Sequence, residues 1–322
     1  MTATARSGGR VLLTDHPWAG TEIEAAVIAD AGYRLIEAPP GASPSDLVEL
    51  GRDVVGIITC WSPVPRLLIE GSPDLAAISR LGVGVDNIDL AAAAERGVTV
   101  TRVPDYCVEE VSDHVAALIL AWARGIPFFD RSIRAGRWEP GALPLRRVRD
   151  LVVGVWGSGN IGTQTARKMA SFGCTVLRDD RHSSSADDPA RVPVAELLEM
   201  SDVVSLHLPL NESTRNIVDG SVLSAMRPGS LLVNTGRGGL VDTEALLQAL
   251  GSGRPAAAAL DVFPDEPHVP EALVGRDDVL LTPHVAFSSV QSVLELRRRA
   301  PEDLVRVLRG EQPHHPVALP QP

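Results

Sequence analysis

The chain has 322 residues, enough for two domains of ordinary size, and its composition, 44% apolar and 22% charged, supplies sizeable cores and excludes wholesale disorder. Its 41 acidic residues against 30 basic ones give a net charge of −11, and no basic run exceeds Arg297-Arg298-Arg299, which argues against nucleic acid and anionic membrane surfaces as partners. Lys168, the only lysine, stands outside any G-x-x-x-x-G-K-[ST] setting, and Cys60, Cys107 and Cys174 form neither a C-x-x-C pair nor a zinc spacing, so pyridoxal, P-loop and metal chemistry are not expected and a reducing cytoplasm is.

Residues 11–14 form a short apolar run, 21–31 carry a helical pattern and 33–37 read as a strand. Residues 54–59 and 75–78 are buried-strand runs, the second leading into the glycine-rich turn Leu81-Gly82-Val83-Gly84-Val85-Asp86-Asn87. Such alternation of strand and helix predicts a parallel sheet. A long helix follows over 108–123, whose apolar stretch 115–123 falls far short of the ~20 residues of a spanning helix. Residues 1–10 are polar with no secretory apolar region behind them, so neither membrane nor export is expected. Residues 131–149 read as an irregular basic stretch with Pro140 and Pro144.

A second α/β unit begins near Asp150, with strands expected over 151–156, 175–178, 203–207, 230–234, 257–261 and 279–282. That layout predicts a doubly wound nucleotide-binding sheet. The tail 288–310 is helical in pattern with Pro301 expected to kink it, and 311–322 is a proline-rich coil.

Gly157-Ser158-Gly159-Asn160-Ile161-Gly162 matches G-x-G-x-x-G, a weak pattern alone. Its context strengthens it, because it follows the strand 151–156 and opens a helix over 163–172, so backbone N–H groups and the positive helix end face a pyrophosphate. Gly157 permits the tight turn, Gly159 the approach of phosphate, and Gly162 the close packing of helix on strand. Asp180, at the end of the next strand, can accept hydrogen bonds from the adenosine ribose hydroxyls. Its charge repels a 2′-phosphate and favours NAD, while Arg181 and His182 beside it leave room for NADP.

Three ionisable residues follow strands of the second unit: Arg237 after 230–234, Glu266 after 257–261, and His284 after 279–282. Arg can grip a carboxylate through two parallel hydrogen bonds, His can exchange a proton near neutral pH, and Glu can orient and charge that His. The set suits hydride transfer at a carbon that bears a hydroxyl beside a carboxylate.

These residues, with Leu81 to Asp89, the stretch Asp202 to Leu210 that includes His207-Leu208-Pro209, Met226-Arg227-Pro228-Gly229, Leu232 to Gly239, Ala259 to Phe263 and Leu281-Thr282-Pro283-His284, resemble the D-isomer-specific 2-hydroxyacid dehydrogenase family over nearly the whole chain. By that similarity Arg237, Glu266 and His284 take the places of the family's catalytic Arg, Glu and His, and Arg237 and His284 also border the cofactor. Asp261 takes the place of the residue contacting the nicotinamide amide, and His207, Leu208, Pro209 and Thr235 those of cofactor-lining positions. The backbone at Val83 and Gly84 would sit against the substrate carboxylate.

The resemblance implies an α/β fold with two domains. A doubly wound, Rossmann nucleotide domain covers 103–287, and a smaller flavodoxin-like α/β substrate domain is split between 1–102 and 288–322. It implies a homodimer formed through the nucleotide domains, NAD as cofactor, and a small 2-keto or D-2-hydroxy acid as substrate. Formate dehydrogenases carry Gln where Glu266 stands, phosphite dehydrogenases a Lys where Val83 falls, and long phosphoglycerate dehydrogenases a regulatory domain for which nothing remains after Pro322. The segment Val103 to Val111 resembles members grouped with the C-terminal-binding-protein corepressors, which keep the same fold and the same three residues, so an NAD(H)-sensing binding protein stands as the alternative. Trp61, Tyr106 and Phe287 are positional guesses at substrate selection.

Overall fold

The computed structural model describes residues 8–179 and 190–320. Its contacts divide the chain into two compact units, Met1–Tyr106 with Ser289–Pro322, and Cys107–Ser288. Among the described residues no helix is long and apolar enough to cross a membrane.

In the first unit the chain alternates β1 (Arg10–Leu13), α1 (Glu22–Asp30), β2 (Arg34–Glu37), α2 (Pro44–Leu50), β3 (Val54–Thr59), α3 (Arg66–Glu70), β4 (Ala77–Arg80), α4 (Leu90–Arg96) and β5 (Thr99–Thr101). The strands pair in parallel in the order β2-β1-β3-β4-β5, the flavodoxin-like order. Polar caps and glycine stop the short helices: Asp89 accepts from the Ala92 amide at 2.8 Å to start α4, and Gly97, at φ +66, ends it.

In the second unit come α5 (Val108–Ala123), α6 (Ile126–Arg134), β6 (Val152–Trp156), α7 (Asn160–Ser171), β7 (Thr175–Asp179), β8 (Arg191–Val192), α8 (Val194–Met200), β9 (Val203–Leu206), α9 (Gly220–Ala225), β10 (Leu231–Asn234), α10 (Thr243–Ser252), β11 (Ala257–Leu260), α11 (Glu271–Val274) and β12 (Val279–Leu281). The order β12-β11-β10-β9-β6-β7-β8 is a doubly wound Rossmann sheet whose direction of winding reverses between β6 and β9. Its central strands are buried on both faces, as their continuous apolar runs require. Val203 joins the core formed with α5 and α7, and its neighbour Val204 the core formed with α8, α9 and α10.

The last helix, α12 (Val290–Leu308), belongs to the first unit and packs on α1, β3 and β4. Pro301 does not interrupt it. The residue is buried, and Ser79 donates to the neighbouring Ala300 carbonyl at 2.8 Å, so packing against the sheet holds the helix together where a backbone donor is missing.

Two expectations need correction. Helix α7 starts at Asn160 rather than 163, because Gly159 is already extended at its N-cap. Helix α6 takes the front of the stretch read as irregular, with Pro127 in its first turn, where a missing N–H costs nothing. The tail over 311–320 is coil, as expected, and is tied to β5: Val317 donates to Val100 at 2.8 Å, Arg102 donates to His315 at 3.2 Å, and Thr101 pairs antiparallel with Pro316.

Candidate active site

The glycine turn leaves β6 at the point where the second sheet reverses its winding. Gly157 adopts φ +115, which side chains resist, and a Cβ there would lie 2.4 Å from the His207 carbonyl oxygen. At Gly162 a Cβ would lie 2.1 Å from the Gly157 carbonyl oxygen, so α7 closes on the strand only if this residue is bare. Gly159 differs: its φ of −68 suits any residue, and a Cβ would meet no atom within 4 Å. The fold does not need a glycine there, and the open space in front of the N-terminus of α7 is what a pyrophosphate requires. Ser158 donates to the Asp179 carbonyl at 2.8 Å and ties the turn to the end of β7. Asp180 and Arg181 lie outside the described residues.

On the far side of the turn, His207 donates its amide to Trp156 at 2.8 Å, and its Nε2 meets Ser205 Oγ at 2.9 Å. Loss of hydration drops its pKa from 6.5 to about 4, so the ring stays neutral near pH 7. Leu208 is half-buried and Pro209 exposed. Thr235 Oγ1 is buried without a hydrogen-bond partner, an acceptor and donor held ready at a position expected to line the cofactor. The open face of Gly159 and the orphaned Thr235 hydroxyl both fit a dinucleotide.

Beyond β10 the chain turns sharply. Asn234 fixes the turn with both ends of its amide, accepting from the Gly236 amide at 3.1 Å and donating to the Arg237 carbonyl at 2.9 Å. Gly238 is forced by crowding, since a Cβ would lie 2.0 Å from the Phe263 carbonyl carbon. Arg237, half-buried, donates from Nη1 to the Gly236 carbonyl at 2.8 Å.

Glu266 and His284 come together from loops after neighbouring strands, β11 and β12. His284 Nδ1 lies 2.6 Å from Glu266 Oε2, and the other carboxylate oxygen accepts from the Phe263 amide at 2.9 Å. Burial opposes ionisation of Glu266. The hydrogen bond and charge of His284, the Phe263 amide and the charge of Arg237 outweigh it, and the carboxyl lies below its ordinary range. Arg237 therefore acts on the pair through its field.

His284 adopts φ +52, unusual outside glycine. Asp261 holds it there. The Asp261 carbonyl accepts the His284 amide at 2.7 Å, and its fully buried carboxylate accepts from Val285 and Ala286 amides at 3.0 and 2.9 Å and from Thr282 Oγ1 at 2.6 Å. The Thr282 hydroxyl and the Val285 and Ala286 amides all belong to the loop carrying His284, so the carboxylate clamps that loop. His114 on α5 completes the clamp, with Nε2 3.1 Å from Thr282 Oγ1. Asn234, Thr282 and His114 were missed as candidates; the signal was Asn234 and Thr282 at strand ends, whereas His114 offered only a polar residue on an apolar helix face. Phe287 lies edge-on to His284, with centroids 6.1 Å apart.

In the first unit Val83 and Gly84 form a half-buried turn just past β4. Trp61 is 39% exposed in the loop after β3, and Tyr106 is buried.

Residues 116–286 match the family described as D-isomer specific 2-hydroxyacid dehydrogenase, NAD binding domain. A glyoxylate/hydroxypyruvate reductase of Arabidopsis thaliana is 40% identical over 240 residues, covering 74% of this chain and 75% of that protein. A D-3-phosphoglycerate dehydrogenase of Methanocaldococcus jannaschii is 33% identical over 291 residues. That match takes in 88% of this chain and 56% of the archaeal protein, so the chain spans little more than half its length. Among solved structures, the NADPH-dependent glyoxylate/hydroxypyruvate reductase from Sinorhizobium meliloti in complex with NADP and malonate aligns with a TM-score of 0.84 at 32% identity, over 96% of this chain and 97% of that one.

Proposed function

We infer the function from one premise: this chain belongs to the D-isomer-specific 2-hydroxyacid dehydrogenase family. It is an oxidoreductase that reduces a small 2-keto acid to the D-2-hydroxy acid with NADH, and runs the reverse reaction with NAD. The observation that carries this reading is the His284–Glu266 pair at 2.6 Å, held beyond the same sheet whose reversal point carries the glycine turn.

Bound NADH would supply the hydride. Gly157, Gly159, Asn160, Ile161 and Gly162 form the seat of its pyrophosphate, and His207, Leu208, Pro209 and Thr235 line the rest of its path. Glu266, kept ionised below the ordinary carboxyl range, accepts from His284 Nδ1 and stabilises the protonated ring. His284 Nε2 then gives a proton to the keto oxygen, and takes one from the hydroxyl in the reverse direction. Arg237 grips the carboxylate through its planar fork and polarises the carbonyl. Asp261 is assigned here to shaping the His284 loop, in addition to any contact with the cofactor. The first unit is the substrate domain, and the Val83-Gly84 turn offers backbone N–H groups to a carboxylate.

Glyoxylate and hydroxypyruvate are the first substrates to test, because relatives carry those names. NADH is the expected cofactor, with NADPH the comparison that the Sinorhizobium meliloti complex recommends. We place the protein in the cytoplasm on its three free cysteines, all buried. A homodimer through the second unit is supported by the apolar surface of α6 and the arm behind it, where Ile126, Ile133 and Leu145 are exposed and Trp138 is 84% exposed. The deciding measurement is NADH and NADPH oxidation against a panel of 2-keto acids. Turnover supports the enzyme; tight NADH binding with no turnover on any member overturns it in favour of a dinucleotide-sensing protein.

A further inference from the structure

Two arginines are buried among the described residues, both in the first unit, and they are treated differently. Arg297 meets the fully buried Glu24 through two hydrogen bonds of 2.8 Å, donates to the Gly20 carbonyl at 2.6 Å and lies over the Trp18 ring. Arg80, 7% exposed at the carboxyl end of β4, has no carboxylate within ion-pair distance among the described residues. Its Nη1 donates to the Leu81 carbonyl, and its Nε is buried without a partner. A buried guanidinium without a counter-charge is costly unless an anion arrives.

Its position says where that anion sits. A Cβ on Gly82, itself at φ +152, would lie 1.5 Å from Arg80 Nη1, so the guanidinium lies against Gly82, where the Gly82-Val83-Gly84 turn begins. The Gly82 carbonyl accepts from the Val103 amide at 3.0 Å, and the Val83 carbonyl from Arg102 Nη1 at 3.3 Å. In a trans peptide the following N–H points away from the carbonyl, so the Val83 and Gly84 amides are turned away from these partners. Neither donates to an acceptor among the described residues. Two outward amides in the turn that begins beside a buried, unbalanced cation at the end of a parallel strand make a seat for an anion.

We propose that Arg80 is a positioning residue that charges this seat, holding the turn by the Leu81 carbonyl while its uncompensated charge draws a carboxylate onto the Val83 and Gly84 amides. That the carboxylate is the 2-keto acid's own rests on the function given above. Arg102 clamps the same turn through the Val83 carbonyl.

The test compares Arg80→Met and Arg80→Gln, which remove the charge, with Arg80→Lys, which keeps it. The readouts are keto-acid KM and kcat, NADH affinity, and the affinity of the NADH complex for oxamate, a non-reducible carboxylate analogue. In both neutral variants KM and the oxamate dissociation constant rise together by roughly 10-fold, the scale of one charge-assisted interaction, while kcat at saturation and NADH affinity stay within a few-fold. Arg80→Lys recovers most of the loss. Unchanged oxamate affinity in the neutral variants, a fall in kcat without a change in KM, or loss of folding in both neutral variants overturns the proposal and assigns Arg80 to the fold or to another step. If the wild type oxidises NADH with no keto acid, the functional reading fails instead, and the oxamate comparison still decides the role of Arg80.

Discussion

The glycine turn after β6 and the His284 loop after β12 are both built at strand ends of one sheet, but by opposite means. The turn is made from backbone: its demands are positive φ at Gly157, a bare Cα at Gly162 and open space at Gly159. The His284 loop is made from side chains that arrive from other strands, with Asp261 clamping its amides and Glu266 orienting its imidazole. The difference teaches that cofactor binding and proton transfer should fail separately, since neither set of supports uses the other's atoms.

The sharpest break is His284→Asn. Removal of the acid should cost ~10² to 10⁴ in kcat, while NADH affinity, measured by fluorescence titration, stays within a few-fold. Near wild-type kcat would remove His284 from the mechanism.

Two alanine variants then divide the glycine turn itself. Gly162→Ala forces a Cβ against the Gly157 carbonyl and should destabilise the protein by about 1–3 kcal/mol, with NADH binding lost alongside. Gly159→Ala meets no protein atom, so the melting temperature of the cofactor-free protein should hold or rise while NADH affinity falls. Equal NADH affinity in Gly159→Ala and the wild type means that the space before α7 is not the pyrophosphate seat.

A smaller effect is expected at Glu266, read as a pH profile. With its folded pKa lowered, Glu266 contributes stability that is present above the ordinary carboxyl range and lost as pH falls through the lowered value. In Glu266→Gln the protonated imidazole loses its carboxylate partner, so the pH optimum for keto-acid reduction should move downward. An unmoved profile counts against the pairing.

The smallest effect concerns His207, on the cofactor side of the comparison. Its folded pKa of about 4 lies below the 6.5 of a free imidazole, so its share of stability is complete above 6.5 and is lost as pH falls from there to about 4. His207→Asn should flatten denaturation midpoints across that window without altering the activity profile set by His284. A slope equal to that of the wild type places the responsible proton elsewhere.

Much of this was legible in the amino-acid order, because it depends on neighbours in the chain. Apolar runs separated by helical patterns announced two parallel sheets, and the spacing Gly157, Gly159, Gly162 behind one such run announced a dinucleotide turn, since steric demands on backbone are met by local residue identity. Arg237, Glu266 and His284 were visible as polar residues after strands, but their separation along the chain says nothing about distance. Only the pairing of β10 with β11 and β11 with β12 brings those strand ends together, and only then does Glu266 meet His284 and Asp261 clamp its loop. The short elements β5, β8 and α2 to α4 were hidden because a few residues cannot display a period. That α12 runs on through Pro301 could not be read from the chain, because propensity is local whereas the burial of α12 against β3 and β4 is not. Arg80 gave no signal at all: one arginine at the end of a strand looks like any other, and its lack of a counter-charge exists only once the chain has folded around it.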